Sequence, residues 1–306
     1  MTISSAVPHS PALPLLVLLF SSSLWGLSWW PLKQFVEVGL GGPMLSMLVY
    51  GPVGLVLAAY LWRERTAWRS QAGLLVALAL VGGWANTSFV NALMLGDVVR
   101  VMFLFYLSPV WSVLGGWLFL KERVSVRRKL AVAVALAGLW LVLGGAKAFN
   151  TALSVADVLA LTAGLAFAGN NVIARAGQAI PIRSKTASVF LGCGVLSGIW
   201  VVGLGTPVPD VSLPVSLAVL AYGFGWLLLA TATWQFGVTH MESGRAGVVM
   251  LAELLVAVLT ATWWGGEALS ALEWVGGALI ACAALIEATD TVSPTPVTPF
   301  LEKETP

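Results

Sequence analysis

An all-α integral membrane protein, with ten transmembrane helices built as two inverted five-helix repeats, is the fold class this chain predicts. Three observations predict it. First, 58% of the 306 residues are hydrophobic and only 10% are charged, with a mean hydropathy of +0.91. A soluble globular chain is about 25% charged, so this one lacks the polar residues to clothe a water-facing surface. Second, the apolar residues gather into about ten runs, each near the ~17–25 residues that carry a helix across a bilayer. Third, polar landmarks return 145 positions on. Asp97 and Arg100 recur as Glu242 and Arg245, Glu122 and Ser125 as Glu267 and Ser270, and Ala85, Val113 and Leu114 as Ala230, Val258 and Leu259. A repeat of this kind means one unit present twice. A unit of five spans, an odd number, puts its second copy upside down relative to the first.

The runs fall at 12–32, 43–62, 72–94, 98–120 and 130–146 in the first unit (12–146). Those at 155–174, 187–204, 214–238, 244–264 and 271–288 make the second (150–288). Residues 1–11 carry no Lys or Arg, and a secretory signal needs a positive start, so the first run is expected to be a retained span behind a short cytoplasmic segment. Residues 289–306, rich in Thr and Pro, are expected to be a disordered cytoplasmic tail.

Orientation follows from the positive charges. With the N-terminus inside, thirteen of the 16 Lys and Arg fall on the cytoplasmic side, and only Lys33, Arg100 and Lys147 fall opposite. Positive residues favour the cytoplasm, so both termini are expected inside a cell inner (plasma) membrane crossed many times. The halves differ in the same sense. The loop from Lys121 to Lys129 holds five positive residues, and its counterpart around Glu267–Glu273 holds none.

Local signals mark the breaks. Ser154 with Asp157 and Ser270 with Glu273 have the spacing of N-terminal capping boxes opening the sixth and tenth helices. Pro31, Pro52 and Pro109 fall in or near spans, where they kink helices and free carbonyls. Gly194 and Gly198 form a small-residue packing pattern in the seventh. The two cysteines, Cys193 and Cys282, lie in apolar runs and read as small core residues rather than a disulfide or a metal site. A net charge of +2 makes no case for a nucleic-acid partner. No HExxH, Gly-x-Gly-Asp or Ser–His arrangement lies within a span and both histidines are peripheral, so no catalytic set, cofactor or metal is expected and the chain is not read as an enzyme.

Ser108-Pro109-Val110 through Leu118-Phe119-Leu120-Lys121-Glu122-Arg123-Val124-Ser125, its echo Trp264-Gly265-Gly266-Glu267-Ala268-Leu269-Ser270, and the opening Leu24-Trp25-Gly26-Leu27-Ser28 resemble the repeats of the EamA-type drug/metabolite transporters. The resemblance runs from about residue 12 to 288 and is nearest the YddG-type exporters of aromatic and other amino acids. It implies a secondary transporter working by alternating access on a small-molecule substrate. One departure stands out: where many relatives have Pro in the ninth span, this chain has Glu253-Leu254.

Polar groups within spans are costly, so they face a cavity or a partner. They sort the first, third, fourth, sixth, eighth and ninth spans inward, whereas the fifth and tenth are almost wholly apolar and are expected outside, against lipid or a second protomer. The substrate-binding candidates are Trp25 and Ser28 of the first span, Asn86 and Asn91 of the third and Tyr106 of the fourth. Asn170 and Asn171 of the sixth and Thr231, Trp234 and Gln235 of the eighth join them. Amides and hydroxyls can meet the carboxylate and ammonium of an amino acid, and Trp or Tyr can take a ring or a cation. Glu253, the only acidic residue well inside a run, is the candidate for coupling transport to protons. Asp97, Arg100, Glu242 and Arg245 are expected to be turn or capping residues, and Glu122 and Glu267 to support helix ends or gates. Export of amino acids is the leading function. Export of amphipathic cationic drugs is the alternative within transport, and an intramembrane enzyme or a channel the alternatives outside it.

Overall fold

The computed structural model describes residues 12–108, 110, 111, 125–145, 152–205, 207, 210–239 and 243–288. Among these every regular element is helical and none is a strand. The first run divides into α1 (Ala12–Gly26) and α2 (Trp29–Glu37). Then come α3 (Gly42–Arg63), α4 (Arg65–Leu95), α5 (Val98–Phe105) and α6 (Val126–Val142). The second half holds α7 (Val155–Ala176), α8 (Ile182–Gly203), α9 (Leu213–Gly237), α10 (Ser243–Trp263) and α11 (Ala271–Ala288).

Among the described residues, six stretches are long and apolar enough to cross a membrane: α1 with α2, α3, α4, α7, α8 and α9. The apolar parts of α6, α10 and α11 are shorter. The fourth run begins as α5, and Pro109 with residues 112–124, Glu122 among them, lies outside the described residues. The loop expected at 63–71 is instead helical, because α4 starts at Arg65, one residue after α3 ends. Glu64 alone breaks the helix there, and the Trp68 indole reaches back to the Leu61 carbonyl at 2.9 Å.

Both expected capping boxes form. Ser154 and Asp157 exchange bonds at the start of α7, and Ser270 and Glu273 do so at the start of α11. Two helices carry π-helical turns, Leu78–Gly82 within α4 and Tyr222–Leu227 within α9. Such bulges widen one turn and concentrate at functional sites.

Packing is by close approach of small residues. On α8, Gly194 sits on Gly51 of α3, where a Cβ would come within 2.8 Å of the Gly51 Cα, and Gly198 lies beside Met47. The pattern thus serves helix packing, as its spacing predicts. Gly138 of α6 and Gly276 of α11 face each other's carbonyls, a Cβ on either meeting oxygen at 2.6 Å. The two apolar helices therefore pair with each other and turn Leu136, Trp140, Trp274 and Val275 outward. α1 packs on α9 and α10, and α7 packs on α4 and α5. Cys193 is buried in the core, but Cys282 is exposed on the outer face of α11, so the core placement predicted for it does not hold. An apolar sequence run cannot distinguish a core face from a lipid face.

Outward-facing Leu16, Phe20, Leu55, Leu80, Ile199 and Leu217 leave a surface suited to hydrocarbon, not water. Exposed Trp62, Trp263, Trp264 and Trp274 lie at helix ends, where indoles anchor a protein at the membrane interface.

Candidate functional site

Glu253 is 5% exposed on α10. A carboxyl group in an apolar interior needs a partner, and the side chain that interacts with it is Tyr106, just past the end of α5. The Tyr106 hydroxyl donates to the Met250 carbonyl at 2.8 Å. Met250 and Glu253 are three residues apart and so share a helix face. Tyr106 therefore stands between a backbone acceptor and a carboxyl of one helix.

Aromatic rings extend from this point across the bundle. Phe105 and Tyr106 lie 5.7 Å apart, edge to face. Phe105 meets Phe89 of α4 at 4.5 Å and Phe167 of α7 at 5.4 Å, and Phe167 meets Trp234 of α9 at 6.5 Å. Offset and edge-to-face pairs at these separations are attractive beyond their burial. The row joins four helices, with one carboxyl at its end.

A second polar group surrounds the π-helical turn of α4. Asn86 donates to the Gly82 carbonyl at 2.9 Å and lies 3.4 Å from the Tyr50 hydroxyl of α3. Asn170 of α7 approaches the same turn so closely that a Cβ on Gly82 would come 2.5 Å from its Oδ1. That oxygen is buried and has no hydrogen-bond donor among the described residues. Buried acceptors are nearly always satisfied, so an unpaired one marks a place where a donor can be received.

The other candidates take varied positions. Asn91 is fully buried and donates to the Ser46 hydroxyl and the Thr87 carbonyl; its Oδ1 also lacks a donor. Ser28 is tied to Trp226, whose indole donates to its hydroxyl at 3.1 Å, while that hydroxyl donates to the Leu24 carbonyl. Trp25 is half-buried against the core. Asn171, Thr231, Trp234 and Gln235 are half-buried on α7 and α9. The structure thus brings Tyr106 to Glu253, links them through Phe105 and Phe167 to Trp234, and places Asn86 and Asn170 at one helical turn. Ser28 and Asn91 lie in interhelical clasps. Phe89, Phe105 and Phe167 were not foreseen, since a Phe in an apolar span looks alike whether it meets lipid, core or cavity.

One end of the bundle is closed by charge. Gly266, with φ of 69°, turns the chain after α10 and points Glu267 at the start of α5. Both carboxylate oxygens accept there, from the Val98 N–H at 2.8 Å and the Val99 N–H at 3.0 Å. Lys33 stands 3.7 Å from the same carboxylate and donates to the Gly96 carbonyl at 3.1 Å. Arg100 grips Asp157 with two bonds of 2.7 and 3.0 Å. Arg100 is therefore an interhelical tie, not the capping residue its position predicts. The fork geometry that makes it one depends on a residue 57 places away, which no local pattern reveals. The open basin above, about 500 Å³, is lined by Lys33, Asp97, Arg100, Ser154 and Asp157. At the opposite end Ser184 donates to Glu64 at 2.6 Å, and Arg183 covers the Tyr60 ring. Among the described residues no three His, Cys, Asp or Glu side chains gather to hold a metal ion.

Comparison with known proteins agrees with this architecture. The model of the EamA-like transporter family matches residues 12–144. The uncharacterized transporter YwfM of Bacillus subtilis (strain 168) is 29% identical over 247 residues, covering 78% of this chain and 81% of its own. An uncharacterized transporter of Archaeoglobus fulgidus is 26% identical over 229 residues, covering 69% and 75%. A solved crystal structure, 21% identical, superposes with a TM-score of 0.59 over 92% of this chain and 99% of the other, and so shares the fold. The first half of the chain is thus similar to the EamA-like transporter family, and most of its length is similar to proteins described as uncharacterized transporters.

Proposed function

We propose that this transporter exports small amphipathic metabolites bearing an ammonium group, aromatic and other amino acids of the YddG-type range foremost, across the inner membrane by alternating access. The observation that carries the proposal is Glu253 beside Tyr106 at the end of the aromatic row from Phe105 to Trp234. A carboxylate attracts an ammonium and ring faces receive an apolar or aromatic side chain. The amides of Asn86 and Asn170 can serve the substrate's remaining polar groups.

Alternating access in this design needs two halves that rock about a shared site. Two features support a repeat of that kind. A shift of 145 residues carries the π-helical turn at Leu78–Gly82 onto the one at Tyr222–Leu227. The same shift exchanges the α1–α10 contact with α7–α5, and α1–α9 with α7–α4. Lys33, Arg100, Asp157 and Glu267 meet at one end and Glu64, Arg183 and Ser184 at the other. That division matches the sides given by the positive-charge count and supports cytoplasmic termini.

A second reading, export of amphipathic cations, is favoured by one observation. Lys33 and Arg100 are engaged by Glu267 and Asp157 at the bundle end, so neither cation stands ready there for a substrate carboxylate. Purified protein in liposomes tests both. Saturable counterflow of labelled tryptophan, phenylalanine or alanine supports the first, and counterflow of tetraphenylphosphonium alone selects the second. Absence of both refutes the proposal. A pH gradient that drives accumulation by the wild type but not by Glu253→Gln assigns proton coupling to that residue.

A further inference from the structure

We propose that the junction of α3 and α4, together with the start of α8, is a binding site for the phosphate of an anionic phospholipid headgroup. Such a site is independent of what is transported.

Residues 60–71 hold Arg63, Arg65 and Arg69, and Arg183 stands at the start of α8; across 60–71 and 177–190 the only acidic residue is Glu64. The fold engages that acid internally, because the Ser184 hydroxyl donates to the Glu64 carboxylate at 2.6 Å. The same bond fastens α8 to the junction across 120 residues of sequence and so brings Arg183 to the other arginines. Lys185 is engaged as well, donating to the Ala174 carbonyl at the end of α7 at 2.8 Å. Arg63, Arg65, Arg69 and Arg183 are left exposed, and among the described residues none of them enters an ion pair. Positive charges gathered without counterions draw an anion. α8 also begins at Pro181 without a side-chain cap, which adds the positive end of a long helix to the same place.

Two of the arginines are held in position. The Arg65 guanidinium lies over the Trp62 ring, 4.7 Å from its centre, and one of its N–H groups donates to the Trp62 carbonyl at 3.1 Å. The Arg183 guanidinium lies over the Tyr60 ring at 5.3 Å. A guanidinium over a ring face keeps donors at its edges, and that fork matches the oxygens of a phosphate. Arg65 belongs to α4 and Arg183 to α8, so a headgroup held by both ties the two helices together.

The surroundings favour a lipid over a soluble anion. Trp62 is 71% exposed, and Leu55, about two turns back on the same face of α3, is 70% exposed. On α8, Ile182 and Ile199 also face outward. The arginines therefore stand where a hydrocarbon-facing surface meets water, the depth at which indoles lie beside headgroups. A phosphate carrying acyl chains meets both surfaces at once, whereas free phosphate meets only the charge. A zwitterionic headgroup brings its own cation against the arginines, and an anionic one does not.

The full chain in nanodiscs of phosphatidylcholine, with and without phosphatidylglycerol, tests this. Phosphatidylglycerol should slow amide exchange at residues 64–71 and 182–185 more than at 126–130, a comparison on the wild type that needs no variant. Arg65→Gln and Arg183→Gln should each weaken phosphatidylglycerol binding about fivefold, and together about 30-fold, the scale of one basic side chain at an anionic membrane surface. Arg127→Gln removes a likewise exposed charge from the start of α6 and should change binding by less than about twofold. An equal loss in Arg127→Gln means that the lipid reads overall charge, and overturns the inference. So does protection that is absent, that is already complete in phosphatidylcholine alone, or that inorganic phosphate reproduces.

Discussion

Glu267 gives the sharpest test of how this bundle closes. Its carboxylate caps α5 with both oxygens, at 2.8 and 3.0 Å from the Val98 and Val99 N–H groups, and Lys33 stands 3.7 Å away. A hydrogen bond to a charged group contributes about 1.5–3 kcal/mol, and removal of an ordinary N-cap costs about 0.5–2 kcal/mol. The side chain is 16% exposed, so water replaces part of what is lost, and the ion pair at 3.7 Å adds little. Glu267→Ala should therefore weaken the closed end by about 2–3 kcal/mol, or roughly 30- to 150-fold in the equilibrium between closed and open ends. Glu267→Gln keeps one acceptor oxygen and should lose about half of that free energy. Amide hydrogen exchange over residues 98–105 reads the effect directly, since exchange from an opened state rises in proportion to its population. Glu273→Gln is the control, because Glu273 caps α11 and makes no bond to α5. If exchange at Val98 and Val99 is unchanged in Glu267→Ala, or rises as much in the control, the latch does not hold this end.

Further outcomes follow from other contacts. Arg100→Lys should lower thermal stability by about 1–2 kcal/mol, because a lysine cannot make the forked pair with Asp157. Arg100→Ala should cost about 3 kcal/mol, since it leaves a carboxylate 4% exposed without its partner; equal melting temperatures for Arg100→Lys, Arg100→Ala and wild type would refute this. Gly83→Ala drives a Cβ into the Gly192 backbone at 2.6 Å and should destabilise by about 1–3 kcal/mol. Gly82→Ala pushes instead on Asn170 Oδ1, a movable side-chain atom, and should alter counterflow more than stability; the opposite ranking in thermal melts would remove Asn170 from the site. Gln235→Ala should change the apparent affinity for at least one accepted amino acid, and unchanged transport of all of them would exclude that residue. A thiol placed at Asp210 should react with an impermeant reagent from outside and one at Arg127 should not; the reverse pattern would sink the inverted topology.

The sequence by itself determined the helical membrane class and the bounds of several helices. Ten apolar runs with charges between them leave few alternatives to a helical membrane bundle, because a backbone in hydrocarbon must satisfy its own hydrogen bonds. The boundaries of α3, α7 and α11 lie within a few residues of the runs that predicted them. Capping at Ser154 and Ser270 was legible because it is local, three residues from donor to acceptor. Tertiary structure alone decided what those polar groups meet. Asp157 sits in its predicted capping box yet also takes Arg100, and Glu267 ends one helix while capping another 168 and 169 residues away. Glu253 was visible as an isolated carboxyl, but its neighbour Tyr106 comes from α5, and the Phe105–Phe167–Trp234 row from three helices. Hydropathy along a chain records whether a residue tolerates hydrocarbon. Whether it faces lipid, another helix or a cavity depends on the rotation of each helix, which only the packing of all the others fixes.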